Sequence, residues 1–333
     1  MSEPEAAGRL ARGHYGLALL AGTVAAVVCW LAYRLPPPST SDFEPVWIGA
    51  RALISGLDPY TVVPTAGTRY PLYYPLPALL VGLPFGAFSY PAARVLWAAV
   101  CVATFMLAAL HYRRGLLTAL LSANLLNAVV QGQWSPLLTA AAVLPAISWV
   151  WAAKPSVGAA LFIAFPSRRA LIGCLLLVGV SLAVYPTWPL RWADALRESN
   201  HVAPILRPGG IVLLLALIRW RQTEARLLAA LACVPQTIGL YETLPLFLIP
   251  RTRWQGYSLA GLSYVAAFGQ AVMVPRLPGM TWEAMNAARW PFIFLLLYLP
   301  ALLMLLLPGE GGHGPLVPAI AWVRSRSKRG HGM

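Results

Sequence analysis

The sequence predicts an all-α protein, a polytopic membrane helix bundle with about ten transmembrane helices and an amphipathic helix in its first outer loop. Three observations carry that expectation. Of 333 residues, 59% are hydrophobic and only 11% are charged, against about 25% in an ordinary soluble domain. The apolar residues fall in runs long enough to cross about 30 Å of hydrocarbon as helices. The basic residues that give a net charge of +14 lie mostly between those runs, where they read as topology signals and not as a nucleic-acid groove.

Clear spans are expected at 16–35, 91–111, 170–188, 256–275 and 289–307, with shorter or broken ones at 115–131, 134–152, 155–167, 209–220, 225–239 and 240–250. Arg9 and Arg12 place the N-terminus inside, and Arg324, Arg326, Lys328 and Arg329 place the C-terminus inside as well. The assignment is consistent if 134–167 makes one net crossing, which Pro136, Pro145 and Pro155 allow as broken half-helices. The expected organisation is one multi-pass domain over 1–308 and a disordered basic cytoplasmic tail over 309–333, in an inner (plasma) membrane. The N-terminal apolar run lacks a small-x-small cleavage site and reads as a first anchor. Cys29, Cys101, Cys174 and Cys233 are each embedded in an apolar run, so no disulfide framework or metal site follows from them.

This topology puts one long segment, 36–90, on the outer face, and long loops tend to carry function. Within it, Phe43, Val46, Trp47, Ala50 and Ile54 recur at helical spacing, and Gly56 and Pro59 supply a stop. Asp42 and Glu44 stand at the start. Ser41 with Glu44 spells a capping box, and acidic residues there complement the helix dipole. Alternatively, Asp42 projects into a cavity and takes a proton from an incoming hydroxyl, which a partly desolvated carboxylate is suited to do. Asp58 reads as a turn residue before Pro59. The strip RYPLYYPLP, with Tyr73 and Tyr74, lines a lipid or sugar groove or anchors at the interface.

The order SDFEPVWIGARALISGLDPY, YPLYYPLPALL, NAVVQGQWSPLL and AAKPS, over about residues 15–190, resembles the polyprenyl-phosphate-mannose-dependent mannosyltransferases of the GT-C superfamily. Relatives in that superfamily include the mycobacterial phosphatidylinositol-mannoside enzymes. The segment between Gln133 and Lys154 is shorter than the family pattern. The resemblance implies a GT-C helix bundle and hexosyltransferase activity on the outer face. The sugar, mannose by resemblance, would pass from a polyprenyl-phosphate donor to a lipid or glycan acceptor with inversion. It also implies that Asp42 is the base.

Such a displacement needs positive charge on the leaving-group side. The donor-phosphate candidates are Lys154, Arg191, Arg197, His201 and Arg207. Against these stand plainer roles: a snorkelling lysine, pairing of the arginines with Asp194 and Glu198, and an inert loop histidine. Sugar or acceptor candidates are Glu44, Tyr73, Tyr74, Gln131, Gln133 and Glu242, the last because an unpaired carboxylate in an apolar hairpin is costly. Lipid phosphate is already a good leaving group, so no metal or other cofactor is expected. The expected partners are membrane lipids, the donor and the acceptor, without nucleic acid. A transporter or lipid translocase is the competing class, since broken helices and an intramembrane lysine also suit a substrate pathway.

Overall fold

The computed structural model describes residues 3–35, 41–68, 72–112, 115–197, 199, 201–274 and 280–307. The tail expected over 309–333 lies outside them. Among the described residues every regular element is helical, with one isolated bridge between Val202 and Gln236.

Among the described residues, three helices are long and apolar enough to cross a membrane: Gly13–Arg34, Tyr90–His111 and Trp282–Leu306. They coincide with three of the five clear spans in the sequence. A fourth arises if Arg168–Val184 and Trp188–Arg197, bent by 100° at the break between them, form one broken span. The other apolar stretches are cut shorter. Pro136, Pro145 and Pro155 stand at or next to the starts of three separate pieces, Ser135–Ala141, the 3-10 helix Pro145–Ala153 and Pro155–Ala164. Proline fits the first turn of a helix and disrupts any later one, so it divides what a hydropathy window merges. Of the span expected at 256–275, residues 256–273 fall in Arg253–Met273, which is 21 residues long; its tyrosines, serines and glutamines make it less apolar than the three spans.

The first two spans pack through small residues. A Cβ on Gly22 would stand 2.8 Å from the Ala99 carbonyl oxygen and 3.1 Å from the Ala103 Cβ, the close approach that membrane helices use where lipid removes the hydrophobic drive. Ala18, Ala25 and Cys29 are buried, whereas Leu19, Leu20 and Val24 are exposed.

The first loop contains the expected helix, observed as Glu44–Ile54. Phe43, Val46 and Ala50 are fully buried, but Ile54 turns outward. The expected capping box does not form. Phe43 occupies the N-cap position without a side-chain cap, because Pro45 in the first turn fixes the start at Glu44. Ser41 Oγ instead accepts from the Phe43 N–H (3.1 Å) and donates to the Gln131 carbonyl (3.0 Å). Asp58 takes the turn role expected of it, accepting the Tyr60 N–H at 2.9 Å and capping Pro59–Thr65.

Candidate active site

Asp42 is held by a turn from a distant part of the chain. The helix Ala123–Gln131 ends at Gly132, whose φ of 62° lies in the left-handed region. That turn delivers the Gln131 carbonyl to the Asp42 N–H at 3.0 Å, while the Gln133 amide donates to Asp42 Oδ2. The second spanning helix fixes the turn from the other side. Arg94 Nη2 donates to the Val130 carbonyl (2.5 Å) and Trp97 Nε1 to the Gly132 carbonyl (3.1 Å). Phe43 stacks on Trp97 at 4.8 Å between ring centroids, and Trp134 meets the same indole edge-on at 4.6 Å. The residues before and after the carboxylate are thus both clamped, which fixes its direction.

That direction is into a cavity of about 1290 Å³, larger than the usual 300–1,000 Å³ of small-molecule sites. Asp42 keeps part of its surface open to this space but is surrounded by protein. Burial pushes its carboxyl above the ordinary value of 3.8; the Lys154 ammonium and the Gln133 amide pull it partly back. Desolvation wins, which is the balance that makes a carboxylate a better base.

Lys154 and Glu242 form an ion pair of 2.8 Å inside the cavity, with side chains 14% and 3% exposed. Lys154 begins Pro155–Ala164; Glu242 lies in the 3-10 helix Leu240–Leu248. Asn124 anchors that 3-10 helix by donating to the Leu240 carbonyl and to Thr243 Oγ1. Tyr241 joins the pair to Asp42. Its hydroxyl donates to Asp42 Oδ2 at 3.4 Å, and Lys154 Nζ stands 5.3 Å from its ring centroid. A carboxylate and a cation therefore flank one tyrosine.

Of the residues singled out in the sequence, Asp42, Lys154, His201, Tyr73, Tyr74, Gln131 and Glu242 line the cavity. Tyr73 and Tyr74 are held through their carbonyls by Trp192 Nε1 (2.9 Å) and the Tyr60 hydroxyl (3.1 Å). His201 Nε2 lies 3.1 Å from Thr237 Oγ1 and meets Tyr73 edge-on; burial, with the nearby Lys154 ammonium, lowers its pKa from the ordinary value. Gln133 is buried behind Asp42 and supports it. Four residues are placed elsewhere. Glu44 sits within the field of Arg94. Arg191 faces Asp58 at 3.9 Å, Arg197 pairs with Asp194 at 3.1 Å on the surface, and Arg207 lies in a separate groove.

Sequence reasoning missed Tyr241, Trp192, Gln236, Gln270, Asn286 and Arg289 on the cavity wall. For two of them a signal existed: Asn286 and Arg289 are three residues apart, hence on one face of the last span, and polar residues in a span are functional candidates. Among the described residues no group of three His, Cys, Asp or Glu side chains is arranged to hold a metal ion.

Compared with models of known protein families, with curated proteins and with solved structures, the chain finds no match. Its functional reading rests on residues and geometry.

Proposed function

We propose that this protein is an integral-membrane glycosyltransferase of the GT-C type, moving a hexose from a polyprenyl-phosphate donor to a lipid or glycan acceptor. The observation that carries the reading is the Asp42–Tyr241–Lys154 arrangement on the wall of one large cavity. An inverting displacement needs a base and a cation on opposite sides of the reacting carbon. The acceptor oxygen attacks the anomeric carbon, its proton passes to Asp42, and the bond from that carbon to the phosphate oxygen breaks with its electron pair leaving on the lipid phosphate. An ammonium has three N–H donors, so Lys154 keeps two for the phosphate while Glu242 holds the third. Arg289, on the same wall, adds positive charge.

Among the described residues, Gln270 Nε2, Asn286 Oδ1 and Glu242 Oε2 are buried without hydrogen-bond partners. Such atoms are costly unless a ligand satisfies them, and sugar hydroxyls, both donors and acceptors, match the set. By arginine placement the site belongs to the non-cytoplasmic face.

The bent pair Arg168–Val184 and Trp188–Arg197 favours a second reading, a lipid translocase, since broken helices border substrate pathways. One experiment separates the two. Purified protein in liposomes receives radiolabelled polyprenyl-phosphate mannose and membrane-lipid acceptors. Labelled glycolipid supports the transferase; movement of intact donor between leaflets without transfer supports the translocase.

A further inference from the structure

Arg207, expected from sequence to grip the donor phosphate, lies outside the main cavity. It sits in the loop between the 3-10 helices Pro204–Leu206 and Gly210–Arg219 and is only 9% exposed. It lines a smaller groove of about 210 Å³ with Pro208, Ala287, Trp290, Phe294 and Leu295. Trp290 Nε1 donates to the Pro208 carbonyl at 2.8 Å and fixes the loop against the last spanning helix.

Two features of this groove are unexplained by packing. Among the described residues, Arg207 Nε and Nη2 are buried with no hydrogen-bond partner. Buried guanidinium N–H groups are normally satisfied, and a bidentate anion is the partner that their geometry fits best. Leu295, on the other wall, is 53% exposed on a helix apolar enough to span a membrane. An anion with an apolar tail would satisfy both features, its head on the guanidinium and its chain along Trp290, Phe294 and Leu295. The charge of Glu283 bears on Arg207, and among the described residues the two form no ion pair within 4 Å.

We infer that the Arg207 groove is a binding site for an anionic membrane phospholipid, with the phosphodiester on the guanidinium and an acyl chain along the last span. It is distinct from the cavity of Asp42, although Asn286 and Arg289 of the same helix line that cavity. Basic pockets between spanning helices take lipid head groups for the same electrostatic reason. The inference does not depend on the glycosyltransferase reading.

Native mass spectrometry of the detergent-purified full chain, incubated with phosphatidylglycerol or with phosphatidylcholine of identical chains, tests it. The wild type should retain one phosphatidylglycerol in preference to phosphatidylcholine. Arg207→Gln should weaken that retention about tenfold, the loss of a charged hydrogen-bonding group. Ala287→Trp fills the groove but leaves the arginine in place, so it should weaken retention as well, covering the case in which the arginine variant does not fold. Glu283→Gln removes a competing charge and should strengthen it, a direction that mere loss of structure does not produce. Arg197→Gln, at the exposed surface pair with Asp194, should leave it unchanged. Equal retention of the two lipids by the wild type, or undiminished phosphatidylglycerol on Ala287→Trp, would overturn the inference.

Discussion

Gln133 donates its side-chain amide to Asp42 across 91 residues of sequence, and the backbone of Gln131 meets the backbone of Asp42 in the same place. The carboxylate is therefore positioned by a second element, the turn after Ala123–Gln131, and not by its own helix alone. Gln133→Leu removes the donor that restrains and partly stabilises the charged carboxylate. Its expected effect is a further rise of the Asp42 pKa and a loss of about tenfold or more in transfer rate, read as an alkaline shift in the pH–rate profile.

The pH dependence has a defined sign. Burial holds the Asp42 pKa above 3.8 in the folded chain, so the folded state keeps the proton to higher pH than the unfolded one. Folding stability from this group is fully present below 3.8 and is lost as pH rises through the raised folded value. A base must be ionised, so transfer should rise through the same window. Asp42→Asn abolishes both trends, and thermal unfolding followed alongside kcat/KM across that window checks them.

Gly132→Ala tests the turn directly. The residue is at φ 62°, and an added Cβ would run into Ser41 Oγ and lie 3.2 Å from Phe43 Cβ. The left-handed backbone alone costs about 1–2 kcal/mol. The displaced carboxylate should cost about a hundredfold in rate, a loss in activity well beyond the fall in melting temperature.

Much of this was legible in the sequence, but not its pairings. The amphipathic spacing of Phe43, Val46 and Ala50 revealed the loop helix, and the isolation of Lys154 and Glu242 in apolar runs marked both as unusual. Their partnership spans 88 residues, and local pattern carries no information at that range. Ser41 and Glu44 matched a cap because the spacing fits; Pro45 and the attraction of Ser41 to the Gln131 carbonyl overrode it. Pro136, Pro145 and Pro155 marked 134–167 as broken in the sequence. The count of about ten crossings came from apolar runs, of which three among the described residues form helices long and apolar enough to span. Gln270 and Arg289 lay in stretches read only as spans, and Asn286 lay in the segment between them.

The Lys154–Glu242 pair gives a stability prediction. Removing one member of a buried pair typically costs about 3–5 kcal/mol, because the other charge is stranded; the partial exposure of Lys154 lowers that figure. Lys154→Met should therefore reduce the thermal midpoint more than the double variant Lys154→Met/Glu242→Leu does. Both should lose transfer. Differential scanning fluorimetry in detergent reads the comparison.

Arg191 and Arg197 are expected to be dispensable for the reaction. Each faces an acidic neighbour at the surface, at 54% and 80% side-chain exposure, and exposed pairs contribute about 0–1 kcal/mol. Arg191→Gln and Arg197→Gln should keep transfer rates within about twofold of the wild type, whereas Arg289→Gln, on the cavity wall, should raise the donor KM.

The most direct measurement is the single-turnover rate of sugar transfer by Asp42→Asn beside the wild type, at saturating polyprenyl-phosphate donor and with donor binding measured separately. A positioned general base contributes about 10²–10⁴-fold, so the account predicts a loss in that range with donor affinity preserved. Transfer by Asp42→Asn at the wild-type rate would contradict it.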